Sequence, residues 1–101
     1  MRDVQAQVAL MAEKYGLGAD PMTRFADLTS EVGELGKELV KSSNYGKNEP
    51  AANEKLAMEM GDVLFVLVLL ANEMELDLDE CFRAVREKCE ERFEEKGSIG
   101  S

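Results

Sequence analysis

Apolar residues recur every three or four positions in the first half of the chain, a spacing that predicts two amphipathic helices. The first helix is predicted over residues 3–15. The second begins at Asp20-Pro21, where an N-cap residue precedes a proline in the first helical position, and it runs to about Lys41. Its predicted core stripe consists of Phe25, Leu28, Val32, Leu35 and Leu39.

A polar loop at 42–49 separates this pair from two further predicted helices. Pro50 is predicted to open the third helix, which continues to about Met74. Asp77 precedes the fourth helix with the spacing of a capping box. The predicted core side of that helix consists of Leu78, Cys81, Phe82, Val85, Cys89 and Phe93.

The third helix contains an uninterrupted apolar run at 63–71. A short apolar run also suits a buried strand, but helix-forming residues flank this one on both sides without a turn signal, so we predict a helix. A helix that is apolar all round must be covered all round, and four short helices in one subunit provide too little cover. The sequence therefore predicts an all-α four-helix bundle, assembled as a homodimer or homotetramer with helices shared across subunits.

Composition restricts the partners and the compartment. The chain has 101 residues and a mass of 11.2 kDa, so we predict one domain over 1–96 and a frayed tail at 97–101. A net charge of −9 argues against nucleic-acid binding, which requires a basic face. The apolar run is too short to cross a bilayer, and the start of the chain lacks the apolar stretch of a signal peptide. Together with two cysteines too far apart on one helix to pair, these features favour a reduced, cytoplasmic protein.

Two acidic pairs carry the candidate chemistry. Glu31 and Glu34 are three residues apart, as are Glu59 and Asp62, so each pair places two carboxylates on one helix face, one turn apart. Four converging carboxylates beside an apolar run are costly unless cations neutralise them. The alternative is a solvated acidic rim. That alternative is weaker for Glu59 and Asp62, because they lead directly into the run.

Three glycines accompany these pairs, and the absence of histidine limits the metal. Gly33, Gly36 and Gly61 each cost about 1 kcal/mol relative to alanine within a helix, so we predict that they permit close helix approach. Oxygen ligands without any histidine favour Mg²⁺, or Mn²⁺, over zinc or iron. Histidine-based acid–base catalysis and nucleophilic triads are excluded as well. What remains is metal-activated water attacking a phosphoryl group.

Three segments of the chain resemble one enzyme family, the MazG-like, all-α nucleoside triphosphate pyrophosphohydrolases. They are Leu28-Thr29-Ser30-Glu31-Val32-Gly33-Glu34-Leu35, Glu59-Met60-Gly61-Asp62-Val63-Leu64 and Lys88-Cys89-Glu90-Glu91-Arg92-Phe93. The resemblance covers about residues 20–95. It implies hydrolysis of a nucleoside triphosphate to a monophosphate and pyrophosphate, as in the removal of unwanted nucleotides.

The resemblance also implies roles for individual residues. The Mg²⁺ ligands, and hence the catalytic residues, would be Glu31, Glu34, Glu59 and Asp62. Phosphates would meet Lys88 and Arg92, and Asn72 would face the nucleotide. The chain departs from the family where Ser30 replaces a frequent glutamate, which leaves the rate or the number of metal ions open.

Other interpretations stay open on the sequence. One alternative is a pyrophosphohydrolase that acts on phosphoribosyl-ATP, since such related enzymes share the bundle and the acidic motifs. Another alternative is a helical oligomerisation module without enzymatic activity, in which the acidic pairs are ordinary surface residues. Lys88 and Arg92 also suit surface ion pairs on an acidic helix, and Asn72 suits a helix-terminal polar residue.

Overall fold

The computed structural model describes residues 1–96, and the regular elements in that range are all α-helices. The helices are α1 (Arg2–Tyr15), α2 (Pro21–Ser42), α3 (Glu54–Glu73) and α4 (Leu78–Lys96). The predicted all-α fold is confirmed, including a helix rather than a strand at 63–71. The predicted tail at 97–101 lies outside the described residues. No helix in the described range is long and apolar enough to cross a membrane.

Side-chain caps explain where two helices begin. The Asp20 carboxylate accepts hydrogen bonds from the Thr23 amide at 3.0 Å and from the Thr23 hydroxyl at 2.8 Å. Asp77 Oδ1 accepts from the amides of Asp79 at 2.8 Å and Glu80 at 3.3 Å. Each cap satisfies amides that a helix start leaves without intrahelical partners. Both starts lie where the sequence predicts them.

The predicted start of α3 at Pro50 is wrong. The helix begins at Glu54, because Asn53 Oδ1 accepts the Leu56 amide at 2.8 Å and caps it. Proline is compatible with the first position of a helix, but its side chain offers no hydrogen-bond acceptor for the free backbone amides of the first turn. The side chain of Asn53 offers such an acceptor, so the helix begins after Asn53.

The central helix is α3, and two helices pack on it. α2 lies along one face of α3 and α1 lies against another. The buried core cluster consists of Val8, Val68 and Leu69, with Phe65 and Leu78 packed against it. Only one end of α4 therefore reaches the core.

Within residues 1–96, α4 makes no packing contact comparable to those of α1 and α2 on α3. Its first turn is tied to the start of α1, where Arg2 Nε lies 3.3 Å from Asp77 Oδ2. Beyond that turn, Phe82 is 66% exposed and Phe93 is 57% exposed. The radius of gyration is 16.5 Å, against about 13 Å for a compact domain of this length. Within the described residues, Leu78 of the predicted core side of α4 therefore packs against the core, whereas Phe82, Val85 and Phe93 remain exposed.

A further apolar face of α3 is also open. Met60, Leu64 and Leu67 are between 38% and 56% exposed on the side away from α1 and α2. A Cβ added to Gly61 would meet nothing within 4 Å, and the same holds for Gly33 and Gly36. The prediction that these glycines permit close helix approach is therefore wrong for contacts within the described chain.

Candidate metal centre

The face of α2 that packs on α3 is rotated from the predicted apolar stripe. Phe25, Val32 and Leu39 of that stripe are between 44% and 53% exposed. Leu28 and Leu35 of the predicted stripe do have reduced exposure, and they share the packed face with Arg24, Glu31 and Glu38. This rotation brings an acidic residue and an arginine onto the packed face.

One consequence is that three carboxylates converge between α2 and α3. Glu31 from α2 and Glu59 and Asp62 from α3 each offer an oxygen, and these three oxygens all lie within 4.8 Å of one another. All three residues are half-buried. The i, i+3 spacing on α3 supplies two of the carboxylates from one turn, and the packing of α2 supplies the third. We refer to Glu31, Glu59 and Asp62 as the acidic cluster.

Glu34, the fourth predicted ligand, lies beside the acidic cluster rather than in it. Its side chain is exposed, one turn beyond Glu31. It is nevertheless close enough for its negative charge to raise the pKa of Glu59. The structure thus brings together three of the four predicted ligands and leaves the fourth at the rim.

Burial and nearby negative charges act together on Glu59 of the acidic cluster. Partial burial raises the pKa of Glu59 above its ordinary value, and the charges of Asp62, Glu34, Glu31 and Glu38 raise it further. The basic residues of α2 with described ion pairs, Arg24 and Lys41, pair with Asp27, Glu73 and Glu38, and with none of the four predicted ligands. Converging carboxylate oxygens suit a hard divalent cation.

A groove of about 290 Å³ adjoins the acidic cluster. Its apolar wall includes Leu17, Phe65, Val66 and Leu69, and its polar wall includes Arg24, Asp27, Ser30, Glu31 and Asp62. The groove therefore has a carboxylate end suited to metal-bound anions and an apolar side suited to a flat, uncharged ring. Ser30 lines the groove next to Glu31 of the acidic cluster.

Arg24 was not identified from the sequence, although the structure buries it in this groove. Its residue exposure is 7%. Nε donates to both oxygens of Glu73 at 3.2 Å, and Nη2 donates to one of them at 3.0 Å and to the Leu17 carbonyl. Nη1 donates to Asp27 at 3.3 Å. The hydrogen bonds to Glu73 raise the pKa of Arg24, so it carries a full charge. Its position seven residues before Glu31 was the available signal, because that spacing places both on one helix face.

Asn72 lies in a different set of contacts from the predicted one. Its amide nitrogen donates to the Gln5 carbonyl oxygen at 3.0 Å, and its amide oxygen accepts from Gln5 Nε2, also at 3.0 Å. Gln5 also accepts from the Leu78 amide at 2.9 Å and donates to the Leu76 carbonyl at 2.9 Å. Asn72 and Gln5 thereby join α1 to the α3–α4 connection. A nucleotide contact by Asn72 would compete with these bonds.

Lys88 and Arg92 lie on the part of α4 that projects from the rest of the chain. Lys88 is exposed and Arg92 is half-buried. Neither is among the residues that line the groove within the described range. Their predicted contact with phosphates stays a prediction. It requires that the α4 helix of this chain or of another copy approach the groove.

Comparisons with known proteins agree with this geometry. Residues 20–96 match the MazG nucleotide pyrophosphohydrolase domain. The chain is 36% identical over 100 residues to the uncharacterized protein YpjD of Bacillus subtilis (strain 168), covering 95% of this chain and 88% of that protein.

Two crystal structures have a similar fold, each with a TM-score of 0.73. One is a Bacillus-conserved MazG protein described as a nucleotide pyrophosphohydrolase; it is 32% identical, and the match covers 86% of this chain and 85% of that one. The other is the putative pyrophosphatase YPJD from Bacillus subtilis; it is 38% identical, with 87% and 90% covered.

Proposed function

The chain belongs to the MazG nucleotide pyrophosphohydrolase family, and on that premise we propose that it is a Mg²⁺-dependent hydrolase that cleaves a nucleoside triphosphate to a monophosphate and pyrophosphate. Its role would be to remove unwanted nucleotides. The observation that carries the proposal is the acidic cluster, whose three oxygens lie within 4.8 Å of one another.

The donor set fits the proposed metal. Glu31, Glu59 and Asp62, with Glu34 at the rim, would hold Mg²⁺, because hard cations prefer carboxylate oxygens and the site offers no nitrogen or sulfur ligand among them. When bound, the metal polarises phosphoryl oxygens and lowers the pKa of coordinated water. With the metal bound, a phosphate chain can approach a region that otherwise repels it.

The groove then orients the rest of the nucleotide. Phe65, Val66 and Leu69 supply an apolar surface, and Asp27 and Ser30 supply polar groups beside it. A ligand lying along this groove would place its phosphates at the acidic cluster and its uncharged part against the apolar wall. The residues of the chain thus bind and orient the substrate, while the carboxylates retain the metal.

We also propose that the active form is a homodimer or homotetramer in which a second copy of the chain covers α4. The apolar face of α4, with Phe82 66% and Phe93 57% exposed, is accompanied by open apolar faces on α2 and α3. A single chain buries few apolar side chains, namely Val8, Val66, Val68, Leu69 and Ala71. Copies of the same chain present apolar faces at matching helical spacing, so they are suited to cover one another.

A nucleotide panel with Mg²⁺ tests the activity. We expect pyrophosphate and a nucleoside monophosphate as products, and we expect hydrolysis to stop in excess EDTA. Phosphoribosyl-ATP belongs in the panel, because preferential cleavage of that compound would reassign the substrate. Orthophosphate as the main product, or no hydrolysis of any nucleotide, would contradict the proposal.

Thermal unfolding tests the metal independently of turnover. A ligand at 100 times its Kd stabilises the folded state by about 2.7 kcal/mol, so Mg²⁺ or Mn²⁺ should raise the melting temperature. Asp62→Ala should remain folded and lose this gain. An equal gain in Asp62→Ala would place the metal elsewhere.

A further inference from the structure

Arg24 and Glu73 form a largely buried ion pair at one end of the α2–α3 interface. The Arg24 side chain is 9% exposed and that of Glu73 is 19% exposed. The fork of Arg24 meets Glu73 through both Nε and Nη2, at 3.0 to 3.2 Å. Two further bonds, to the Leu17 carbonyl and to Asp27, hold the guanidinium in place. A planar guanidinium that several hydrogen bonds hold in place can bind a carboxylate in only one relative position.

The ion pair and the acidic cluster occupy two ends of the same interface. On α2, Glu31 lies two turns after Arg24 on the same helix face. On α3, Asp62 lies three turns before Glu73 on the face that also carries Val66 and Leu69. Because Arg24 meets Glu73 and Glu31 meets Asp62, the two helices run antiparallel along this interface. A slip of one helix along the other would separate Glu31 from its two partners on α3.

The packing between these two ends is aliphatic, through Leu28, Val66 and Leu69. An aliphatic core that keeps its volume and patterning loses its unique arrangement before it loses stability, so these contacts specify the register less strictly than a directional bond does. The acidic cluster opposes close approach, because three carboxylate oxygens converge there within 4.8 Å of one another. The ion pair is the directional contact that joins α2 to α3 near this end.

A purely stabilising role explains the ion pair poorly. Removing two charges from water costs as much as their attraction returns, and a well-packed apolar pair often gives equal or greater stability. The best-attested benefit of a buried polar contact is the selection of one register. We propose that Arg24 and Glu73 are positioning residues that fix the register of α2 on α3 and thereby bring Glu31 to Glu59 and Asp62. The link to metal binding rests on the function proposed above, whereas the register itself does not.

Disulfide cross-linking measures the register without metal or substrate. In a chain with Cys81→Ser and Cys89→Ser, the in-register pair is Glu31→Cys with Asp62→Cys, and the pair shifted by one turn is Asp27→Cys with Asp62→Cys. The ratio of their oxidation rates reports the register. The test variant is Arg24→Met with Glu73→Leu, which removes both charges and avoids leaving one buried alone. The control is Arg83→Met with Glu80→Leu, an exposed i, i+3 pair on α4.

We expect the test variant to melt at or above the temperature of its parent and to lose the preference for the in-register pair. The control should retain that preference. An unchanged rate ratio in the test variant would overturn the inference. If the test variant fails to fold, the conservative Arg24→Lys variant replaces it, because a lysine keeps the charge without the fork and should weaken the same preference.

Mn²⁺ titration followed by electron paramagnetic resonance connects the register to the site. We expect about 10-fold weaker binding in the test variant, as for other residues that orient metal ligands without touching the metal. Undiminished affinity together with a lost register would overturn the positioning role. If the unaltered chain binds no Mn²⁺, the proposed function fails, and the cross-linking ratio still decides whether the ion pair sets the register.

Discussion

The α2–α3 interface and α4 are both predicted from the sequence to contribute apolar residues to a core, yet these residues meet different surroundings. α2 and α4 place an apolar residue every three or four positions, and α3 is apolar without interruption over 63–71. On α3, Val68 and Leu69 are almost completely buried. On α4, Phe82 and Phe93 remain more than half exposed. The pattern therefore identifies a face that requires cover, but it does not say whether the same chain provides that cover.

The polar residues of the two regions differ in the same way. Arg24 and Glu73 are held at 3.0 Å in a buried pair across the interface. Arg83 and Glu80 form an ion pair along the exposed surface of α4, with both side chains about half exposed. Water screens the second pair and hardly screens the first. We therefore expect the α2–α3 interface to carry the chemistry and to set the helix register, and we expect α4 to contact another copy of the chain.

The largest effect is expected at the interface, in Glu59→Gln. This substitution keeps the shape of the side chain and removes a charge from the acidic cluster, so turnover should fall about 100-fold or more. The measurement is the rate of pyrophosphate release. The control is Glu38→Gln, since Glu38 is 14% exposed but pairs with Lys41 and lies outside the cluster. Comparable losses of turnover in both variants would show that negative charge anywhere in this region, and not the acidic cluster in particular, supports the reaction.

The next effect tests α4. If a second copy covers Phe82, then Phe82→Asp should cost about 2 kcal/mol or more of assembly free energy per chain. Light scattering should show a shift toward the 11.2 kDa monomer. The control is Leu10→Asp, because Leu10 is 68% exposed, like Phe82 at 66%, but the residues one turn away on α1, Ala6, Gln7, Glu13 and Lys14, include no large apolar side chain. Equal behaviour of the two variants would remove the distinction between α4 and an ordinary surface.

A smaller effect links the two regions. Lys88→Ala and Arg92→Ala should each raise KM about 10-fold with a smaller change in kcat, because a phosphate contact is lost while the metal ligands remain. Steady-state kinetics at saturating Mg²⁺ provide the measurement, with Arg83→Ala on the same helix as the control. A fall in kcat with constant KM would instead place these residues in the chemical step.

The smallest effect concerns the stability of the metal-free protein. The pKa of Glu59 is raised above its ordinary value of 4.5, so the folded state binds this proton more tightly than the unfolded state. The resulting stabilisation is present below pH 4.5 and is lost as the pH rises through the folded-state pKa. Glu59→Gln should therefore raise the melting temperature at pH 7, with a gain that shrinks toward pH 4.5. Excess Mg²⁺ should reverse the order of the two proteins, and a gain independent of pH would contradict the assignment.

Local chemistry was predictable from the sequence where it depends on near neighbours. Asp20 and Asp77 cap the helices they precede, because a cap needs only a side chain and amides two or three residues away. Glu59 and Asp62 share a face because their spacing dictates it. Pro50 was the exception, since a better cap at Asn53 follows it within a few residues.

The packing of the helices against one another was less predictable from the sequence. The rotation of α2 places Arg24 against Glu73, which is 49 residues away in the chain, so no local pattern reveals this pairing. The apolar stripe containing Phe25 and Val32 was assigned to the core of the chain, whereas both residues remain about half exposed. The positions of the three glycines have no explanation in contacts within one chain.

The hydrogen bonds of Gln5 have a consequence for synthesis on the ribosome. Gln5 is made early, yet its partner amide on Leu78 is 73 residues further along the chain. At about 5–20 residues per second, translation needs several seconds to supply that partner. Until then, α1 has neither this bond nor Val68 and Leu69 to pack against. The nascent chain must therefore keep α1 without its native contacts until the α3–α4 connection has left the exit tunnel.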